Sequence, residues 1–519
     1  MSSRSSNATA TGPSDPSGLT QRKPTPAKEE FFSNANNGKL MPYVTAAHEE
    51  RYSILDRRMA KERKTLGLGF LKTLILITLI LWIVLPIFWG SLYLTLQYLS
   101  NLTIYLVDLD SAASGSSAIV GPAFRAMASN SNAMSTKYRS TAHLGYVIRD
   151  AASYPRGVYD AMDEVTNKDC WGAIVVNANA TSAWRAAVES GDASYDPSGS
   201  VGVFYQGARY YQIILLYLAP FLVRNTRTAL QTASATARST ILASLSDTYT
   251  APSSAPASSQ LLTTSLATLQ AVPQALATPF SFYQWDLRVQ TQWAAAAVFE
   301  AADIYYLIFA FQLVLWQNLG RQKTQLNKKL KLGSLIGLRF LIPIVCYFFI
   351  SLWYTCVMAA FQIPFTATVG NAGFVVQWML NYLLLLAVGL ALETMLSVLT
   401  QAFLPFFLIF WIILNITSSF QPIELMMSFY TFLRWVPFYH HTEASKIIMF
   451  NTAPGHALGV HFGALCGVIG VNVIGLSLAV WFERWRDERS ARKERKKKEE
   501  DEEKEKRGRE EGDRGESGQ

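Results

Sequence analysis

Cysteine is nearly absent from this chain: 4 in 519 residues, with Cys346, Cys356 and Cys466 inside apolar runs and only Cys170 in a polar stretch. That excludes a disulfide scaffold, and without a CxxC pair it also excludes a zinc ribbon or a thioredoxin-like redox motif. Cys170 reads as a packed core residue. Charge is scarce too. Asp, Glu, Lys and Arg together make 16% of the chain, against roughly 25% in soluble domains. Three motifs are missing as well: G-x-x-x-x-G-K-[ST], HExxH and GxSxG. The chain therefore has no phosphate loop of its own, and any ATP-driven work would need a separate ATPase partner. No nucleophile–base pair or metal constellation stands out, so an enzyme is the least favoured class, and neither cofactor nor metal is expected.

What the chain has is apolar length, with half of its residues hydrophobic. One run stands alone at Leu71–Leu96; others crowd Val298–Phe482, at approximately Val298–Leu319, Ile336–Phe361, Phe374–Leu399, Ala402–Ser419 and His456–Phe482. A helical crossing takes about 20 apolar residues, and Ala402–Ser419 is short for one. A net charge of +8 could suggest nucleic acid, but the basic residues sit beside the apolar runs. Arg57, Arg58, Lys61, Arg63 and Lys64 precede the first run, and Arg321, Lys323, Lys328, Lys329 and Lys331 follow the second. Arg484, Arg486, Arg489, Arg492 and Lys493 follow the last. Basic flanks mark the cytosolic side, so an even count, six spans arranged 1+5, places both termini there. The basic tail precedes the first run, which makes that run a signal anchor and not a cleaved leader.

These patterns predict an α-helical polytopic membrane protein with an extracytoplasmic α/β domain inserted between spans 1 and 2. Residues 1–69 form a disordered cytosolic tail with a basic end, 70–97 the first span and 98–296 the extracytoplasmic domain. Residues 297–482 form a five-span bundle and 483–519 a charged cytosolic tail. Within 98–296, short β-rich runs Thr103–Val107, Gly172–Val176 and Val201–Tyr205 alternate with helical stretches near Pro122–Ser129, Gly157–Val165 and Thr181–Glu189. That alternation favours an α/β layer. Ile213–Val223 is too short to span and reads as part of a long packed helix; Ser253–Ser259 reads as a linker. Asn179-Ala180-Thr181 is a glycosylation sequon on the translocated side.

Ionisable and amide side chains at membrane depth are the candidate functional residues, because each costs a few kcal/mol to place there. Glu300 and Asp303, three apart, share a face at the outer end of span 2. Arg339 starts span 3; Gln377, Asn381 and Glu393 lie in span 4. Glu393 with Arg339 either forms an ion pair holding helices together or lines a polar path. Between spans 5 and 6, residues 420–455 carry Arg434, His440, His441, Glu443 and Lys446 among many aromatics. An amphipathic or re-entrant segment on the outer side fits them best. His440, His441 and Glu443 with His456 and His461 could be imagined around zinc, but adjacent histidines point apart on a helix and no tight ligand spacing recurs.

Four stretches carry a resemblance to a known family. They are Val107-Asp108-Leu109-Asp110 with Gly121-Pro122-Ala123; Cys170–Thr181 with Tyr195-Asp196-Pro197; Asp286-Leu287-Arg288; and Phe438-Tyr439 with Glu443–Phe450. In order and spacing the chain resembles the fungal nitrosoguanidine-resistance membrane proteins, related to ABC-exporter permeases and phage-infection-type membrane proteins. It departs from that pattern after Arg288, where Val289-Gln290 replaces a Pro-aromatic pair. The resemblance implies resistance to toxic compounds, by export of hydrophobic or amphipathic molecules or by altering membrane lipids. It supplies no catalytic residue. The leading expectation is a permease-like protein in the plasma membrane or a secretory-pathway membrane, dealing with membrane lipids and small hydrophobic molecules and open to a homo-oligomer. The alternative is a non-transporting scaffold or regulator of lipid distribution that recruits a cytosolic partner through its tails and outer domain.

Overall fold

The computed structural model describes residues 53–137, 142–250, 266–300, 302–399 and 401–516; most of the N-terminal tail and the Ser253–Ser259 linker lie outside the described residues. The chain divides into two compact units, Met1–Phe70 and Leu71–Gln519. In the first, Asp56 caps a 3-10 turn, Arg57–Met59, by accepting from the Arg58 N–H at 2.9 Å.

The second unit holds a mixed sheet and a helical bundle. The strands are β1 Thr103–Asp108, β2 Gly145–Arg149, β3 Gly172–Val176, β4 Val201–Tyr205 and β5 Phe282–Asp286, in the order β2-β1-β3-β4-β5. All neighbours run parallel except β3 and β4. Strand side chains alternate between faces, and both faces here are covered. On one, Ile104, Leu106, Ile174, Val176, Val201 and Val203 pack under three helices: α2 Val120–Lys137, α4 Ala180–Ser190 and α5 Ala219–Thr250. On the other, Val107, Ala173, Val175 and Phe204 meet Ala161 and Val165 of α3 Val158–Thr166, with Cys170 buried among them. Each such Val or Ile stabilises the layer by roughly 1.5–3 kcal/mol. The three β-rich runs and three helical stretches of the sequence fall on β1, β3, β4, α2, α3 and α4; β2 and β5, the edge strands, were not anticipated.

Among the described residues, five helical segments are long and apolar enough to cross a membrane: Arg57–Leu92, Tyr211–Asp247, Leu332–Ala360, Thr366–Leu399 and Ala457–Lys504. Tyr211–Asp247 differs from the others in its surroundings. Its Leu222, Ala229, Ala233, Ala237 and Ile241, four or seven residues apart, lie in the sheet's own core, so it is the long packed helix expected around Ile213–Val223.

The helix α1 Ala60–Leu92 is the opposite case: Leu74, Ile75, Trp82, Ile83 and Trp89 are all exposed along it, an apolar surface of the kind a bilayer covers. Pro86 lies inside it without ending it, and its carbonyl accepts from Tyr430 Oη at 3.4 Å.

The bundle comprises α6 Ala302–Thr324, α7 Leu332–Ala360, α8 Gly373–Leu399, α9 Leu404–Phe420, α10 Pro437–Phe450 and α11 Ala457–Glu516. Its centre is α8, where every residue from Leu384 to Glu393 is buried. A helix apolar on all sides belongs in the middle of its neighbours. In α7 a single stripe is buried, while Leu341, Ile344, Val345, Phe349 and Trp353 face outward.

Glu300 lies in the helical stretch Ala294–Glu300 and Asp303 in the first turn of α6; residue 301 between them and the Glu300 side chain lie outside the described residues, and so does the face the pair was expected to share. Within the 420–455 segment, read from the sequence as amphipathic or re-entrant, α10 is buried at every residue except Tyr439. Its polar side chains are matched by partners from neighbouring elements, which is what allows it to be enclosed.

Candidate functional site

Three bundle helices carry buried stripes at three- and four-residue spacing, which is the near face of an α-helix. On α6 the stripe is Asp303, Tyr306, Ala310, Val314, Gln317 and Arg321; on α7 it is Arg339, Pro343, Tyr347, Ser351, Thr355 and Met358. On α8 it is Gln377, Asn381, Leu385, Gly389, Glu393 and Ser397. The α6 and α8 stripes are polar at both ends, and on α7 Arg339 and Thr355 lie one turn inside the apolar Leu335 and Met358; Arg321, Arg339 and Glu393 meet at one end. From Asp303 to Arg321 the helix rises about 27 Å at about 1.5 Å per residue, close to the ~30 Å of a bilayer's hydrocarbon core.

At the end far from the sheet lies an ionic cluster. Glu393 Oε1 is 2.7 Å from Arg321 Nη2 and 3.7 Å from Arg339 Nε, and Arg339 Nη2 reaches Glu483 Oε2 at 2.8 Å. Arg339 Nη1 also donates to Ser397 Oγ. Arg321, Arg339 and Glu393 are all 2% exposed or less. Beside the cluster opens a cavity of about 650 Å³ lined by Arg321, Gln325, Lys328, Glu483, Arg484 and Asp487. The sequence suggested Glu393 with Arg339, but the closer partner is Arg321. In the sequence Arg321 reads with the basic loop, and the stripe running down α6 from Asp303 is the signal that separates it. Glu483 likewise reads as the start of the charged tail.

The middle of the stripes is apolar. Ala310, Val314, Tyr347, Leu384, Leu385 and Val388 pack in one cluster. A Cβ at Gly389 would fall 2.2 Å from Tyr347 Oη, so only glycine lets that phenol lie across α8.

At the sheet end is a hydrogen-bonded network without free cations. Asp303 Oδ1 lies 2.9 Å from His441 Nδ1, and His441 Nε2 lies 2.9 Å from Asn381 Oδ1. Asn381 Nδ2 donates to Thr355 Oγ1 at 2.8 Å, while Gln377 Nε2 donates to Asn381 Oδ1 at 2.9 Å and to Ser445 Oγ at 3.0 Å. Thr442 Oγ1 donates to Asp303 Oδ2 at 3.3 Å. Four of the residues singled out in the sequence, Asp303, Gln377, Asn381 and His441, thus meet in one place.

Glu443 and Lys446, on another face of α10, join the bundle to the sheet domain. Glu443 is 2.7 Å from Lys168 Nζ and 3.0 Å from Lys446 Nζ, and Lys446 Nζ sits 3.2 Å from the centre of the Tyr210 ring. Burial alone would raise the Glu443 carboxyl, but the two ammonium groups overcome it and hold it well below the usual carboxylate range. Burial pushes Lys446 down to about 8. Arg288 reinforces the junction by donating from Nε to Asn451 O at 2.8 Å.

Two histidines and one arginine stand apart from both networks. His440 Nδ1 faces His461 Nδ1 at 3.1 Å, and Arg434 is exposed on the turn Ser428–Trp435. Among the described residues no three His, Cys, Asp or Glu side chains converge as a metal site would require.

The most sequence-distinctive acids of the sheet domain tie loops together. Asp110 Oδ2 accepts from Thr181 Oγ1 at 2.7 Å and from the Gly121 N–H at 3.2 Å, and Oδ1 accepts from the Thr181 N–H at 2.9 Å. Asp108 Oδ1 caps the next turn through the Ser111 N–H at 2.9 Å and its other oxygen pairs with Arg125. A Cβ at Gly121 would fall 2.1 Å from Asp108 Oδ1, which explains the glycine of the Gly121-Pro122 pair. Asn179 is exposed at the start of α4, whereas Thr181 of the same sequon is buried against Asp110.

A chain that combines several long apolar helices with buried ionic stripes and a small mixed sheet is a polytopic membrane protein. It belongs to the family described as a protein of unknown function, DUF3533, whose profile matches residues 73–474. It is 28% identical over 202 residues to an uncharacterized endoplasmic reticulum membrane protein of Saccharomyces cerevisiae, covering 38% of this chain and 39% of that protein. The match therefore spans well under half the length of that relative. No solved structure matches.

Proposed function

We propose that this protein is a permease-like transporter that moves hydrophobic or amphipathic molecules, lipids among them, and so confers resistance to toxic compounds. The observation that carries the reading is the set of three facing stripes on α6, α7 and α8, with polar side chains toward both ends and an ionic cluster at one, closed by Tyr347, Val314 and Leu385 between. Structural ion pairs alone would not need to continue as one polar line toward each surface of a bundle.

In this reading α1, α6, α7, α8, α9 and α11 make six crossings. The ionic cluster faces the cytosol beside the basic residues Lys323, Lys328 and Arg484, and the sheet domain lies on the other side. The endoplasmic reticulum location of the yeast relative favours a secretory-pathway membrane over the plasma membrane. No part of the reading requires an enzyme.

The test is transbilayer flux of rhodamine 6G and of NBD-labelled phosphatidylethanolamine in vesicles carrying the purified full-length chain. Faster movement than in protein-free vesicles, reduced by Glu393→Gln, supports the reading; equal rates with and without protein sink it.

A further inference from the structure

The cavity of about 650 Å³ beside the ionic cluster has walls that are tied together. On α11 its lining runs through Val480, Glu483, Arg484, Asp487 and Glu488, spaced by three and four residues and so on one helix face. The link between α6 and α7 supplies Gln325, Asn327 and Lys328. Arg484 joins that link to α11 by donating from Nη1 to Leu330 O at 3.1 Å, and Arg339 holds Glu483 from α7 at 2.8 Å. Leu335 of α7 and Val480 share one apolar core.

Three cationic and three anionic side chains line this space, so its charge favours a ligand with no net charge over an anion. Four of the six are taken. Arg321 lies against Glu393, Glu483 against Arg339, and Arg484 against Glu488 at 3.6 Å. Lys328 and Asp487 are left: among the described residues neither side chain makes a hydrogen bond or an ion pair. A free ammonium and a free carboxylate on one cavity suit a ligand that carries both charges. No aromatic side chain lines it among the described residues. Quaternary ammonium groups are held by aromatic faces, whereas a primary ammonium donates hydrogen bonds to a carboxylate.

The cavity also stands at the height of a lipid headgroup. Along α11, Val471, Ile474 and Leu478 are exposed, an apolar flank of the kind a bilayer covers. Trp481, Phe482 and Trp485 follow, exposed as well, and such aromatic residues collect at the membrane–water boundary. The boundary on this helix therefore falls among the residues that line the cavity.

We propose that this cavity binds the headgroup of phosphatidylethanolamine, with Lys328 on the phosphate and Asp487 on the primary ammonium. As a binding site it rests on the membrane-protein class alone; as the entry point of a moved lipid it rests on the permease reading too.

Native mass spectrometry of the purified full-length chain in detergent tests it, with phosphatidylethanolamine, phosphatidylcholine and phosphatidylglycerol of the same acyl chains as probes. Phosphatidylethanolamine should bind on the order of ten times more tightly than either of the others. Asp487→Asn should remove that preference, and Lys328→Gln should weaken all three lipids about fivefold. Equal binding of the three lipids to the parent chain, a comparison that needs no variant, overturns the proposal. A preference that survives Asp487→Asn, or lipid binding untouched by Lys328→Gln, overturns it as well.

The same headgroup chemistry exists without acyl chains in sn-glycero-3-phosphoethanolamine. Displacement of the lipid only by a large excess of that ester supports the lipid as occupant; binding as tight as the lipid's makes the ligand a soluble one and overturns the assignment. Preference for phosphatidylethanolamine without flux of its NBD-labelled form sinks the permease reading and leaves the site standing. Flux without the preference does the reverse.

Discussion

The sheet domain and the bundle both bury acids completely, and they do so in opposite ways. Asp110 in the sheet domain is surrounded by neutral donors, two of them backbone N–H groups. Those donors are fixed by the chain, so the arrangement has one state. Glu393 and Asp303 in the bundle face side chains from other helices: two guanidinium groups in one case, an imidazole in the other. Cross-helix pairs of that kind can exchange partners when helices move. A carboxylate tied to backbone builds a scaffold; a carboxylate tied to side chains across a bundle can operate a switch.

The largest effect should come from breaking the scaffold. Asp110→Ala leaves three donors unanswered around a buried site and should cost on the order of 3–5 kcal/mol. The readout is loss of monodisperse protein on detergent extraction, with no variant-specific change in flux beyond the loss of folded chain.

Next comes the switch. Glu393→Gln strands Arg321 and should cost about 3–5 kcal/mol, because a buried charge loses its partner. The double change Arg321→Met with Glu393→Met removes both charges and keeps the Arg339–Glu483 pair, so its melting temperature should return close to the parent's. Transport should stay lost in both, which separates holding helices together from lining a route.

Gly389→Ala should cost about 1–3 kcal/mol, since the new methyl meets the enclosed Tyr347. A thermal melt reads it.

Lys168→Ala at the junction should cost about 1–3 kcal/mol, by leaving Glu443 with one ammonium group in place of two. The pH dependence of that junction has a definite sign. The Glu443 carboxyl is depressed in the folded chain, so its stabilisation is complete above the ordinary value of about 4.3 and is lost as pH falls through the depressed one. Between about pH 5 and pH 8 this carboxyl should contribute no slope to the melting temperature.

The smallest effect is a null one. Burial pushes the Cys170 thiol up to about 12, so it should resist iodoacetamide at neutral pH until the sheet domain unfolds. Rapid labelling of Cys170 in folded protein would contradict the packing on that face of the sheet.

Much of this architecture is legible in the sequence because a bilayer allows few solutions. Apolar length marks the candidate spans, and a Glu, Asn or Asp inside an apolar run is conspicuous, so Asp303, Asn381 and Glu393 stood out. Arg321 and Glu483 did not, because each lies at the edge of a charged stretch where charge needs no explanation. The pairing of Asp303 with His441 was hidden for another reason: it joins two elements far apart in the chain, and no local period reports that. The edge strands β2 and β5 were missed because each pairs on one side only. Half-covered, Gly145–Arg149 and Phe282–Asp286 mix polar and apolar residues and lack the continuous apolar runs of β3 and β4. The small core around Ile423, Met426 and Tyr430 is likewise unreadable, since its residues make no regular period.

The account stands or falls on whether the closed middle of the bundle ever opens to water on each side. In sealed vesicles, a chain with Leu385→Cys and with Cys346, Cys356 and Cys466 replaced by serine would be exposed to a membrane-impermeant maleimide, added outside or trapped inside. The account expects labelling from both sides, at rates that change when Glu393→Gln or His441→Gln is introduced. A cysteine at 385 that stays unlabelled from both sides, yet reacts once the chain is denatured, would show a permanently closed bundle and contradict it.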